Sequence, residues 1–232
     1  MRFTALLRKE LRESLPWILL ACILLLAVGF LIIRLQAISG IETWRYNSIK
    51  PGEVVDSYLL FTPSAINDSG TWLICIAPCL GIILAIRHFA IPFFTKTWPF
   101  LLHRSAHKIT ILSAKIAAAA IAIVACLGFA WGLLYWYASQ PGLFIIPPPL
   151  RLLTDGLLYT VLGLMIYLGA ALSALSPNRW YTTKVFGLVL PTIIILMGII
   201  GSTSRSWAWI FIIITTAILL SQIVHTFLTR EF

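Results

Sequence analysis

Acidic residues are scarce in this chain, eight in 232, and charged residues of both signs make up only 11% of it, against about 25% in soluble domains. None of the eight acids lies deep inside an apolar run. A proton relay or a buried counter-ion pair therefore has no evident carrier, which argues against an ion-coupled transporter. Period-two alternation is missing as well, which argues against a membrane barrel. The four cysteines, Cys22, Cys75, Cys79 and Cys126, all fall in apolar runs, where a free thiol behaves as a small hydrophobe. Neither a disulfide framework nor a redox pair is indicated. No Gly-x-Ser-x-Gly elbow occurs, and Ser202 in "GSTS" has no base partner in view. A phosphate-cradling loop needs glycine before a lysine that is followed by Ser or Thr. Only Lys96 precedes a Thr, and Thr95 precedes it, so this chain is not expected to hydrolyse ATP by itself.

What the chain has is apolar length. Hydrophobic residues make up 60% and the mean hydropathy is +0.96. Six apolar runs stand out: Trp17 to Ile33, Trp72 to Ile86, Ile109 to Tyr137, Leu152 to Leu175, Val185 to Ile200 and Trp207 to Phe227. A bilayer crossing takes about 20 apolar residues, or as few as ~17, and in lipid only helices and closed barrels satisfy their own backbone. The expectation is an all-α integral membrane protein with six transmembrane helices, 1–232 forming a single transmembrane domain. The second and fifth runs are short and carry Pro78 and Pro191, each of which frees a carbonyl that a neighbour must satisfy.

Charge orients the spans. With six crossings both termini share a side, and that side holds 12 of the 17 Lys and Arg residues. The other side holds Arg34, Arg45, Lys50, Arg151 and Arg205 with five acids. By the positive-inside rule the basic side, with both termini, is cytoplasmic, and the expected location is the cell membrane. The net charge of +9 then belongs to topology, so no nucleic-acid partner is expected.

The head, 1–15, places Phe3, Leu6, Leu7 and Leu11 at helical spacing, with Arg2, Arg8, Lys9, Glu10, Arg12 and Glu13 largely opposite. This pattern describes an interfacial amphipathic helix, and a basic anchor that only sets orientation accounts for the same residues. Pro16 suits the first turn of the next span. The run is longer than a signal peptide's and the head contains acids, so a retained anchor is expected. The stretch 39–71 carries the turn signals Pro51-Gly52 and Asn67-Asp68-Ser69-Gly70 and is expected as an extracytoplasmic loop. Gly128 and Gly132 permit close helix approach within one subunit or at a dimer seam, and Thr215, Thr216, Ser221 and Gln222 suit interhelical hydrogen bonds or the lining of a path. Of four histidines, only His103 and His107 have ligand-like spacing, without a third ligand.

One segment is basic without being acidic: "TWPFLLHRSAHKITILSAK", Thr97 to Lys115. On a helical wheel Trp98, Leu101, Leu102, Ser105, Ile109 and Leu112 gather on one side, with Lys96, His103, Arg104, His107 and Lys108 on the other. A helix lying at the cytoplasmic interface fits this pattern, as does an ordinary basic loop. The segment resembles one in permease subunits of type-2 ATP-binding cassette transporters, which reads Gly-Thr, Leu-Leu-x-Arg-Pro-x-Ser-Arg and Ile-Leu-x-Gly-Lys into the third span. Thr97, Leu101, Leu102, Arg104, Lys108, Ile111, Leu112 and Lys115 match without a gap. Ser105, His107 and Ala114 depart from the pattern. The head "LLRKELRES" and the tail "FLTREF" are also similar to the family's.

The resemblance implies a coupling helix in the segment 91–108, ending near Arg104 to His107, with Ser105 a possible N-cap of the next helix. It also implies a separate cytoplasmic ATPase, which binds ATP and Mg, and a second permease subunit. This chain itself would hold no cofactor or metal. Thr97, Leu101, Leu102, Arg104, His107, Lys108 and Lys115 would take part in coupling to the ATPase. The second and fifth spans, with Pro78 and Pro191, would form the path. A charge-free path favours export of a hydrophobic or amphipathic cargo such as a lipid, peptide or drug. The competing expectation is a non-transporting scaffold, immunity or assembly protein whose basic loop recruits a soluble partner or anionic lipid. A membrane enzyme ranks last, since no acid, histidine or cysteine constellation is in view.

Overall fold

Apolar runs of this length form helices because every backbone group then bonds within its own segment. The computed structural model describes residues 2–48, 64–96, 107–140, 143–144, 148–175 and 205–229; these are almost entirely helical, with no strand element among them. Helix α1 is Arg2–Ser48. Helix α2 starts as Ser64–Ala85, widens into a π-helical segment, Ile86–Ala90, and closes with the turn Ile91–Phe94. Helix α3 is Lys108–Ala138, with a π-helical segment at Ile121–Leu127. Helices α4, Leu150–Leu175, and α5, Arg205–Thr229, complete the bundle. Each of the five contains a stretch long and apolar enough to cross a membrane. The predicted fifth run, Val185 to Ile200, lies outside the described residues.

Two boundaries differ from the sequence-based expectation. The head does not form a helix of its own, because α1 runs unbroken through Pro16. Proline there removes one backbone donor, while Ser14, Ile18 and Ala21 stay buried on both sides of it and hold the helix together. Nor does the first loop begin at residue 39, since α1 continues to Ser48. No proline occurs between Trp17 and Pro51 to stop it.

Helices α1 to α4 alternate in direction. Glu10 of α1 meets Lys115 of α3 at one end, while Phe30 and Arg34 meet the Tyr137 ring at the other, 4.6 and 5.9 Å away. The matched stretches, Glu10 to Arg34 and Lys115 to Tyr137, are 25 and 23 residues long, so α1 and α3 run parallel over roughly 35 Å at ~1.5 Å per residue. That slightly exceeds the ~30 Å apolar thickness of a bilayer. Between α3 and α4 the contacts reverse: the Trp131 indole donates to the Leu153 carbonyl at 3.2 Å, and the Tyr135 hydroxyl to that of Pro148 at 2.9 Å.

Helices α2 and α4 come into backbone contact. A Cβ on Gly81 would sit 2.6 Å from the Gly163 carbonyl oxygen, and one on Gly163 would sit 2.8 Å from Ala77 Cβ. Small residues allow this backbone contact. Among the described residues the Gly128 and Gly132 pair does not perform that role, as a Cβ on Gly132 would meet nothing within 4 Å there.

Candidate functional site

Four helices contribute polar side chains to one buried cluster. From α1, Glu10 and Ser14 share an i, i+4 face that continues as Ile18, Ala21 and Leu25, all buried. From α2 comes His88, which lies in the π-helical segment. Such segments insert an extra residue into a helix and often mark functional positions. From α3 comes Lys115, and from α4 Tyr167. Exposures are 8% for Glu10, 4% for Lys115, 1% for Ser14 and His88, and 0% for Tyr167.

The geometry is continuous. Lys115 Nζ donates to Glu10 Oε1 at 2.8 Å. The second carboxylate oxygen, Oε2, lies 3.6 Å from His88 Nε2, and Ser14 Oγ is 3.2 Å from the same nitrogen. The other ring nitrogen, Nδ1, is 3.1 Å from the Tyr167 hydroxyl, which is also 3.3 Å from the Lys115 carbonyl oxygen. Two hydrogen arrangements satisfy the neutral ring. In one, Tyr167 donates to Nδ1 and Nε2–H faces Ser14 and Glu10. In the other, Nδ1–H donates to Tyr167, Tyr167 donates to the Lys115 carbonyl, and Ser14 donates to Nε2.

At its rim the cluster meets an outer set of charges. Glu13 lies 3.7 Å from Lys9 and 3.8 Å from Arg87, with its side chain nearly half exposed, where such pairs contribute little. The buried pair is different in kind. Two ions out of water are tolerated only when they are paired and hydrogen-bonded, and breaking such a pair costs about 3–5 kcal/mol. The cluster therefore ties the start of α1 to the end of α2, the start of α3 and the middle of α4. Mechanically, a displacement of any one of these helices bears directly on the other three.

The buried ion pair corrects the expectation that no acid is available for one. Glu10 stands among the head's charges in sequence, but the structure turns it inward while Lys9, Arg12 and Glu13 stay exposed. The available signal was the Glu10, Ser14, Ile18 spacing on one face, together with His88 and Lys115 near the same edge of their runs.

The residues picked out from the sequence fall as follows. Thr97, Leu101, Leu102 and Arg104 lie outside the described residues, as does Pro191. His107 is exposed and has extended backbone, ψ 141°, directly before α3 begins at Lys108. His107 is the N-cap position of α3, while Arg104 and Ser105 of the expected break lie outside the described residues. Ile91 to Phe94, the start of the expected coupling segment, is the last turn of α2, which ends at Lys96 in left-handed backbone, φ 53°. Lys108 is half-buried. Lys115 is in the cluster. Pro78 is half-buried inside α2, beside a face on which Trp72, Cys75, Cys79, Ile82 and Ile86 are exposed. All four cysteines are free. Among the described residues no group of three or more His, Cys, Asp or Glu side chains could hold a metal ion. The chain matches no protein-family model and no curated protein sequence.

Proposed function

We propose that the chain is the transmembrane subunit of an ATP-binding cassette transporter of the cell membrane, pairing with a second permease subunit and docking a separate cytoplasmic ATPase. The observation that carries this reading is the Glu10–Lys115 pair. Lys115 is the last residue of the segment that resembles the family's coupling region, and its ammonium is bonded to the amphipathic head. A push delivered at 97–108 by an ATPase closing on ATP and Mg would reach α3 first, and through the cluster α1, α2 and α4.

Six spans with cytoplasmic termini fit the packing of the two last helices. Ile212 near the start of α5 packs with Leu158, Leu162 and Met165 of α4, and α5 also contacts the Lys108–Ala120 part of α3, which lies beside Tyr167. In the six-span reading α4 and α5 run in the same direction, and Val185 to Ile200 would be the crossing between them. The exposed face of α2 around Pro78 offers an apolar surface to the second subunit, with Pro191 on the other span of the path. A hydrophobic or amphipathic cargo, exported, suits such a path.

The test is purification of the chain from its native membranes in mild detergent, with mass spectrometry of what accompanies it and an assay of ATP hydrolysis. An accompanying ATPase whose activity depends on this chain is expected. Recovery of the intact chain without one, under conditions that preserve a control complex, would favour the recruiting scaffold.

A further inference from the structure

The outward face of α1 changes character along its length, from charged to apolar. At about 100° per residue, the side away from Glu10, Ser14 and Ile18 carries Ala5, Arg8, Lys9 and Arg12, which line a concavity together with Thr4 and Glu13. The same side then continues as Leu15, Leu19, Leu20 and Ile23, all exposed, Ile23 at 64%. Trp17, on another side of α1 at the level where the apolar part begins, is exposed as well, and tryptophan is enriched at membrane interfaces.

The charges of the concavity are unevenly occupied. Lys9 and Glu13 face each other, and Glu13 also faces Arg87. Arg8 and Arg12 are exposed and have no acid partner among the described residues. At i, i+4 their side chains rise from neighbouring points on one face, about 6 Å apart at Cβ. Guanidinium groups bind phosphate through paired N–H donors, and an apolar stripe begins one turn further on. A ligand that satisfies both parts has an anionic phosphate headgroup and an acyl chain. A soluble anion or an acidic peptide would match the arginines and leave Leu19 and Ile23 uncovered.

We propose that Arg8 and Arg12 clamp the headgroup of an acidic phospholipid whose acyl chain lies along Leu15, Leu19 and Ile23. The lipid holds the outward face of α1 at the membrane surface, while the inward face of the same turns holds His88 and Lys115. This site needs only that α1 enters a membrane; it stands apart from the transporter reading, and its test reads no ATP hydrolysis.

The test is native mass spectrometry of the full chain released from neutral detergent, titrated with phosphatidylglycerol and phosphatidylcholine of identical acyl chains. Phosphatidylglycerol should be retained with a preference on the order of tenfold, and the preference should fall as ammonium acetate is raised. In Arg8→Gln/Arg12→Gln the two lipids should be retained equally, whereas Arg151→Gln, at the start of α4, should keep the preference. Equal retention by the unaltered chain, or a preference that survives in the double variant, would overturn the proposal. So would displacement of phosphatidylglycerol by glycerol phosphate at matched concentration, which would mark a free-anion site. The salt dependence is read on the unaltered chain and tests the charge contact even where the double variant fails to fold.

Discussion

Lys115 and Glu10, 105 positions apart in sequence, form the shortest link in the buried cluster, with the ammonium 2.8 Å from the carboxylate. The pair joins the first turns of α1 to the first turns of α3, at the end of the bundle where the basic residues gather. His88 and Tyr167 extend it to two more helices. A charge pair in this position is stable only as a unit.

Removing one partner of the pair leaves the other charge buried and alone. Glu10→Gln or Lys115→Met should each destabilise the chain by about 3–5 kcal/mol, while Glu10→Gln/Lys115→Met together should lose far less than the sum. Denaturant unfolding in micelles, run as a double-mutant cycle, measures the coupling. Additive losses would mean that the two side chains do not act as a pair.

Tyr167→Phe keeps the ring between α2 and α4 but deletes the hydroxyl that faces His88 Nδ1. A buried donor or acceptor without a partner costs about 1–3 kcal/mol. Tyr135→Phe, at a half-buried hydroxyl bonded to the Pro148 carbonyl, should cost less, about 1 kcal/mol. Equal losses in the two variants would show that His88 does not depend on Tyr167.

Gly81→Ala should force α2 and α4 apart, because the new Cβ would lie 2.6 Å from one backbone atom and 3.2 Å from another; overpacking of this kind costs about 1–3 kcal/mol. Gly132→Ala meets open space and should raise the stability of the isolated chain by up to about 1 kcal/mol, through helix propensity alone. If Gly132→Ala instead disrupts assembly, Gly132 lies against a second subunit.

Cys75 and Cys79 are exposed on the face of α2 beside Pro78. If two copies meet through this face, mild oxidation of native membranes should yield a disulfide-linked species at twice the chain's 25.9 kDa, lost in Cys75→Ser/Cys79→Ser. A chain that stays monomeric under oxidation would argue against a homodimer formed through α2.

If the chain docks an ATPase as proposed, Arg104→Glu with Lys108→Glu should leave membrane insertion intact and uncouple ATP hydrolysis from transport. The measurement is ATPase stimulation in reconstituted vesicles. Stimulation equal to that of the unaltered chain would remove Arg104 and Lys108 from the coupling role.

The membrane character of this protein was decided by the sequence alone. Runs such as Leu152 to Leu175 have one stable structure in lipid whatever surrounds them, because only a helix satisfies their backbone. The asymmetry of Lys and Arg likewise orders the helix ends without reference to packing. Which faces turn inward was not legible in the same way. Lipid chains are as apolar as leucine, so hydrophobic pattern does not separate the Leu25 side of α1 from its Ile23 side. It also failed to separate Glu10 from Lys9 and Glu13, which share its charge-rich stretch. That choice was made by the tertiary structure, which brings His88 and Lys115 to the one face of α1 where Glu10 and Ser14 point. A carboxylate can be buried there, and only there, because the partners that compensate its lost hydration come from helices more than 70 residues away.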